Sequence, residues 1–184
     1  MLTLFHDFTS PASAVAVARL QRLADEGIDV TFHGFEAIGI DLTLPVTSDV
    51  VGELASVERD AAAEGLTLAR PSALPPTGLA HVVTDVAEAG DRGAAWRTAV
   101  YRAFWYDGAD LADRDVLVEI AAGAGVDIER TRAALEDRVA LAAVRRRTAE
   151  FRGEGVGGVP TLLAHRTLVP GLLPETDLRA MIIG

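Results

Sequence analysis

The chain has 184 residues, a formal charge of −10 and no cysteine, and all 17 of its basic residues are arginine. That balance speaks against nucleic-acid and anionic-membrane partners, both of which need basic patches. The missing residue types also exclude disulfides, thiolate nucleophiles, zinc–sulfur sites and dithiol couples made from this chain alone, together with lysine Schiff-base and P-loop phosphate chemistry.

With 49% hydrophobic and 24% charged residues the composition is that of a globular protein, long enough for one domain with an elaboration. The first residues lack a basic n-region, Asp7 interrupts the apolar run, and no stretch approaches the ~18 apolar residues of a membrane span. A cytoplasmic location is the expectation.

Leu2 to Phe8 is apolar, short and rich in strand formers, and predicts a buried strand. Ser10 stands in N-cap position with Pro11 at the first helical residue, where a missing N–H costs nothing. A helix follows from Pro11 to Glu26, with Val15, Ala18, Leu20, Leu23 and Ala24 on its apolar face and Gly27 as its stop. Ile28 to Phe35 alternates apolar and polar and predicts a second strand. The two strands form a βαβ unit, so they are expected parallel with a right-handed crossover.

Residues 36 to 47 read as a connection. A helix is predicted over Asp49 to Gly65, capped by Ser48 or Asp49, and Arg70 to Pro76 is a stiff loop. Helices follow over roughly Thr77 to Ala89, Gly93 to Tyr106, Asp113 to Ala124, and Asp127 to Arg152 with a break near Leu135. Gly155 to Pro160 is too glycine-rich for a helix. Thr161 to Ala164 and Thr167 to Val169 predict a hairpin about His165-Arg166, and Glu175 to Ile182 a last helix after Gly171-Leu172-Leu173-Pro174. The order is βαβ, then helices, then ββα.

Several side chains stand out. Ser10 holds an oxygen over the free N–H groups of a helix, where an anion is stabilised. His6, His33 and His165 fall on separate strand segments without metal-ligand spacing, so no metal site is expected. Trp96, Val100 and Phe104 form one stripe at helical spacing, and Tyr101 and Trp105 a second. One stripe suits a helical core, and the other could roof a cleft above Ser10. Arg145-Arg146-Arg147 reads as a solvated helix face that could pair with Glu150 or Asp137.

βαβ followed by ββα, with Val159-Pro160-Thr161 before the third strand, resembles the thioredoxin layout. The chain is similar to the DsbA-like branch of that superfamily, an α/β fold with an all-helical domain inserted between its halves and a cis-proline loop. The resemblance implies a thioredoxin-like domain of residues 1–45 and 153–184 and an inserted helical domain of 46–152. Asp7-Phe8-Thr9-Ser10-Pro11-Ala12-Ser13 resembles the D-x-x-S-P-x-S pattern of kappa-class glutathione transferases and 2-hydroxychromene-2-carboxylate isomerases, where redox members carry C-P-x-C. Arg102 to Asp127, Gly155 to Leu162 and Gly171 to Pro174 resemble further segments of the branch, the last of them in FrnE-type members.

The resemblance implies a glutathione-dependent or other low-molecular-weight-thiol-dependent isomerase or transferase acting on a small electrophile, with aromatic substrates included. In that role Ser10 would donate a hydrogen bond to the thiol sulfur, Ser13, Val159 and Pro160 would complete the thiol site, and no metal would take part. Phe8, His81 and Trp105 are the candidates to line a substrate cleft. Each has a plainer reading beside it. Ser10 serves equally as a helix cap, Ser13 as a first-turn residue satisfying a backbone group, and His81 as a half-buried surface histidine. With serine at both motif positions, disulfide exchange is unavailable. The alternative is a non-catalytic module whose cis-proline cleft holds a peptide or a partner's edge strand. Related proteins often dimerise, so a homodimer is an open expectation.

The sequence also departs from the pattern. Ala12 stands where the isomerases carry a larger residue, and Leu172-Leu173-Pro174-Glu175 lacks the Ser-Asp pair that grips the γ-glutamyl end of glutathione, although Thr176-Asp177 sit slightly later. With no lysine present, Arg70 or Arg166 would have to meet a ligand carboxylate.

Overall fold

Strand β1 (Leu2–His6) is buried along its whole length and forms the middle of the molecule. In the computed structural model, which describes residues 1–183, β1 pairs in parallel with β2 (Val30–Gly34), Leu2 opposite Val30 and His6 opposite Gly34. On its other side it pairs antiparallel with β3 (Thr161–Ala164), Phe5 opposite Thr161 and Leu2 opposite Ala164. β3 turns into β4 (Thr167–Pro170), giving the order β2-β1-β3-β4. His165 and Arg166 take positive φ of 48° and 64° at that turn, which suits a tight hairpin.

Helix α1 (Pro11–Asp25) is the crossover between the parallel strands and ends at Gly27, whose φ of 95° an L side chain would resist. Between β2 and β3 the chain runs through α2 (Ser48–Ala63), α3 (Gly78–Ala89), α4 (Gly93–Trp105), α5 (Arg114–Gly123), α6 (Ile128–Glu136) and α7 (Arg138–Gly153). α8 (Glu175–Ile183) closes the described chain. None of the described helices is long and apolar enough to cross a membrane.

The elements form where the apolar periods place them, and three local details differ. α2 is capped by Thr47, whose Oγ1 accepts from Val50 N at 3.5 Å, and not by Ser48 or Asp49. The break near Leu135 falls at Asp137, which leaves helical geometry and caps α7 through Val139 N at 2.8 Å. The arginine run is no isolated solvated face. Arg145 holds Glu36 and Asp41, with Nε 3.1 Å from the buried Glu36 carboxylate, and Arg147 holds Asp85 at 3.0 Å. These pairs tie α7 to the segment after β2 and to α3, and neither Glu150 nor Asp137 is their partner.

The main core joins β1 and β3 (Leu2, Leu4, Leu162) to α1 (Leu20, Leu23) and to the helices (Trp96, Phe104, Leu117). Both aromatic stripes of α4 are spent in it: Trp96, Val100, Tyr101, Phe104 and Trp105 are each at most 4% exposed. Phe5 faces the other way, against Phe35, Val156 and Phe151. One polar staple crosses the α1–α2 contact: Arg19 gives Nε to Glu64 and Nη2 to Asp60, each at 2.7 Å, and Nη1 to the Leu173 carbonyl at 2.6 Å. Both Arg19 and Glu64 side chains are 5% exposed, so α2 is locked onto α1.

Candidate functional site at the start of α1

The end of β1 is held by a sealed polar network. Asp7 is 1% exposed and accepts from its own neighbour Phe8 N (2.8 Å), from Ala37 N (2.8 Å) and from His81 Nε2 (3.1 Å). Tyr101 OH donates to the Asp7 carbonyl at 3.0 Å and lies 2.9 Å from His6 Nδ1. Since Tyr101 spends its proton on Asp7, His6 must carry its own on Nδ1. His6 Nε2 and His81 Nδ1 are then the buried side-chain atoms with no partner among the described residues. His6 is held well below the ordinary histidine value by burial, with His81 and Arg97 adding to the effect, so it is neutral. Burial likewise raises Tyr101 well above the phenol range, ahead of the nearby Asp7 charge.

This frame fixes where α1 begins. Ser10 N donates to the Asp7 carbonyl at 3.2 Å, and Ala14 N to the Ser10 carbonyl at 3.1 Å. Ser10 is half-buried, in extended geometry, and its Oγ accepts from Ser13 N at 3.1 Å. Pro11 at the first helical position has no N–H to leave unpaired. The hydroxyl therefore sits over the N-terminus of the helix, where partial positive charge favours an anion. Its own proton points to Glu53 Oε1, 3.4 Å away on α2, which also accepts from Ala12 N at 3.3 Å.

The loop before β3 lies at the same end of the sheet. Because Thr161 pairs with Phe5, residues 159 and 160 lie at the end of the sheet where β1 leaves it for α1. The Val159–Pro160 peptide is cis. The Pro160 carbonyl is taken by Gly171 N at 2.8 Å and Thr161 Oγ1 donates to the Gly158 carbonyl at 2.7 Å. Val159 is half-buried against Phe5 and Phe35, and among the described residues its N–H and C=O carry no hydrogen bond.

The residues singled out in the sequence separate here. Ser10, Val159 and Pro160 are brought to one end of the sheet. Ser13 is fully buried, its Oγ 3.4 Å from Asp7 N, and holds the turn instead of facing a ligand. Phe8 (0%), His81 (0%) and Trp105 (1%) are core residues, not cleft walls. His81 stacks on Phe8 at 4.8 Å, and Trp105 Nε1 donates to the Phe8 carbonyl at 3.0 Å. His81 is thus not the half-buried surface histidine of the sequence reading; its bond to Asp7 draws it inside. Arg166 lies at the β3–β4 turn, the opposite end of the strand from Pro160. Thr176-Asp177 sit beside Glu175, which pairs with Arg22 near the far end of α1. A cavity of about 1130 Å³ opens elsewhere, along the edge strand β2, between His33, Arg97 and Arg147; Ser10 and Val159 do not line it.

Sequence reasoning missed Glu53 and the role of Asp7. The sheet order β2-β1-β3-β4, with one parallel and two antiparallel pairings, a helix springing from the end of β1 and a cis-proline just before β3, defines a thioredoxin-like protein. Residues 1–182 match the DSBA-like thioredoxin domain, and the chain belongs to that family. Among solved structures it is similar to a probable DsbA oxidoreductase from Streptomyces coelicolor, at 27% identity over 98% of this chain and 87% of that one, with a TM-score of 0.82. A 2-hydroxychromene-2-carboxylate isomerase matches at 21% identity over 98% and 91% of the two chains, with a TM-score of 0.78. The cytosolic disulfide reductase DsbM from Pseudomonas aeruginosa, solved with glutathione, matches at 24% identity over 99% and 96%, with a TM-score of 0.68. No curated protein matches the chain significantly.

Proposed function

We propose that the chain binds a low-molecular-weight thiol, of which glutathione is the reference case, and uses it in an isomerase or transferase reaction on a small electrophile. The observation that carries this reading is the Ser10 hydroxyl, half-buried over the N-terminus of α1, with Val159, whose backbone carries no hydrogen bond among the described residues, at the same end of the sheet. A thiol sulfur placed there gains a hydroxyl donor and the helix N–H groups, both of which favour its thiolate. Val159 N–H and C=O supply the strand-like pairing that a γ-glutamyl peptide can use. Without cysteine the chain has no sulfur with which to exchange a disulfide, so the bound thiol supplies the nucleophile. The likeness to an isomerase and to a reductase solved with glutathione supports a thiol ligand. With Phe8, Tyr101 and Trp105 all buried, the reading carries no preference for aromatic electrophiles.

A thermal-shift panel with glutathione, mycothiol and bacillithiol tests it. The reading requires that at least one raises the melting temperature of the wild type and that Ser10→Ala reduces the shift. No shift with any of them, together with capture of peptides that depends on Val159, would make the chain a binding module instead.

A further inference from the structure

The N-terminus of α1 already holds an anion from its own chain. Glu53 reaches it from α2, with Oε1 at 3.3 Å from Ala12 N and 3.4 Å from Ser10 Oγ. The approach is fixed by packing: Val57 and Ala61 of α2 lie against Ala12 and Val15 of α1, with Leu66, Leu68 and Leu172 around them. The groups that meet the carboxylate from α1 are therefore a neutral hydroxyl and an amide. On its own helix Asp49 stands one turn before it, and Ser56 turns its hydroxyl to the Glu53 carbonyl at 2.7 Å. Burial raises Glu53 above the ordinary glutamate value, against the lowering effect of the Ala12 and Ser10 hydrogen bonds.

A thiolate bound in the manner proposed above needs the same two donors. Two negative charges in contact at one helix end repel, and only one can be compensated by the Ser10 hydroxyl and the Ala12 amide. We infer that Glu53 is the proton acceptor for the bound thiol. The S–H bond breaks and an O–H bond forms on the Glu53 carboxylate. The thiolate then takes the donors that Glu53 gives up. Thiol plus carboxylate becomes thiolate plus carboxylic acid, and the helix end carries a single negative charge before and after. A carboxyl raised by burial and a thiol lowered by a helix N-terminus approach one another in proton affinity, the condition for efficient transfer. This inference rests on the thiol-binding reading and assigns the base that reading lacks.

The test compares wild type with Glu53→Gln, which keeps the side-chain shape and an acceptor oxygen but takes no proton. Glutathione is titrated at neutral pH in two buffers of different ionisation enthalpy, so that calorimetry counts protons released, while ultraviolet absorbance reports bound thiolate. The wild type is expected to show thiolate with no net proton release. Glu53→Gln is expected either to release about a full proton per thiolate formed or to bind glutathione without the thiolate signal. Equal thiolate and equal proton counts in the two proteins would overturn the assignment and leave thiol binding intact. Absence of binding by glutathione, mycothiol and bacillithiol alike in both proteins would overturn the two readings together.

Discussion

His81 Nε2 stands 3.1 Å from Asp7 Oδ1, and both side chains are cut off from solvent. The bond joins α3 to the end of the central strand, a few residues before the candidate site. Asp7 in the opening motif is thereby a positioning residue, sealed from solvent.

Asp7→Ala removes the acceptor of Phe8 N, Ala37 N and His81 Nε2 at once. The variant should lose about 3 kcal/mol or more of stability in urea unfolding, since each buried donor left unpaired costs about 1–3 kcal/mol. Asp7→Asn, which keeps an acceptor oxygen, should lose clearly less.

Gly34 lies beneath the same histidine, and a Cβ there would run into His81 Nδ1. Gly34→Ala should destabilise by about 1–3 kcal/mol through overpacking. The check is whether the cost falls when His81 is shortened in the double variant, as it must if the contact is the cause.

His6 gives stability a pH dependence whose sign is fixed. Its folded value is depressed by burial, so below the unfolded value of about 6.5 the unfolded chain binds a proton that the folded chain refuses. Stability should therefore fall as pH drops through about 6.5, by about 1.4 kcal/mol per pH unit for this one group. His33, also lowered by burial, adds in the same direction. Glu53 acts oppositely: its raised value favours the folded state in acid and is lost as pH rises through it. Urea unfolding of Glu53→Gln, which lacks the opposing carboxyl, in steps from pH 7.5 to 5.5 reads the histidine contribution, and a flat profile would contradict the neutral, buried His6.

Arg19 locks α2, and with it Glu53, onto α1. Arg19→Met leaves the buried Glu64 with Arg22 as its remaining ion partner, at 3.1 Å, and should cost about 1–3 kcal/mol through the lost charged hydrogen bonds. Arg19→Met with Glu64→Gln should recover part of that loss in the same unfolding measurement, because the buried carboxylate is removed together with its inner partner.

The fold was readable because its signals are local: Ser10-Pro11 before an apolar 3.6-residue period, Gly27 after it, and His165-Arg166 between two short strand runs. Caps one residue off, such as Thr47 for Ser48, reflect neighbours that all carry capping oxygens. The site was only half readable. Ser10 and Val159 lie on motif segments, but what surrounds them comes from distant positions. Glu53 is 43 residues from Ser10, and His81 is 74 from Asp7. Nothing in a single helix of mixed composition distinguishes Glu53 from Glu58, which faces outward. Phe8 and Trp105 were misplaced for a related reason. Aromatic spacing marks an apolar face but not whether a core or a cleft receives it, and the Trp105 bond to the Phe8 carbonyl decides for the core.

Ser10 carries the central claim, and its two roles separate by size. As a cap alone, Ser10→Ala should cost about 1 kcal/mol of stability and nothing else. As the donor to a bound thiolate it should also cost affinity, about 1.5–3 kcal/mol or roughly 10- to 100-fold. The direct measurement is calorimetric titration of glutathione, mycothiol and bacillithiol into wild type and Ser10→Ala. The account predicts that one of these thiols binds the wild type and that the variant binds it at least about 10-fold more weakly while remaining folded. Equal binding by the two proteins, or none by either, would contradict it.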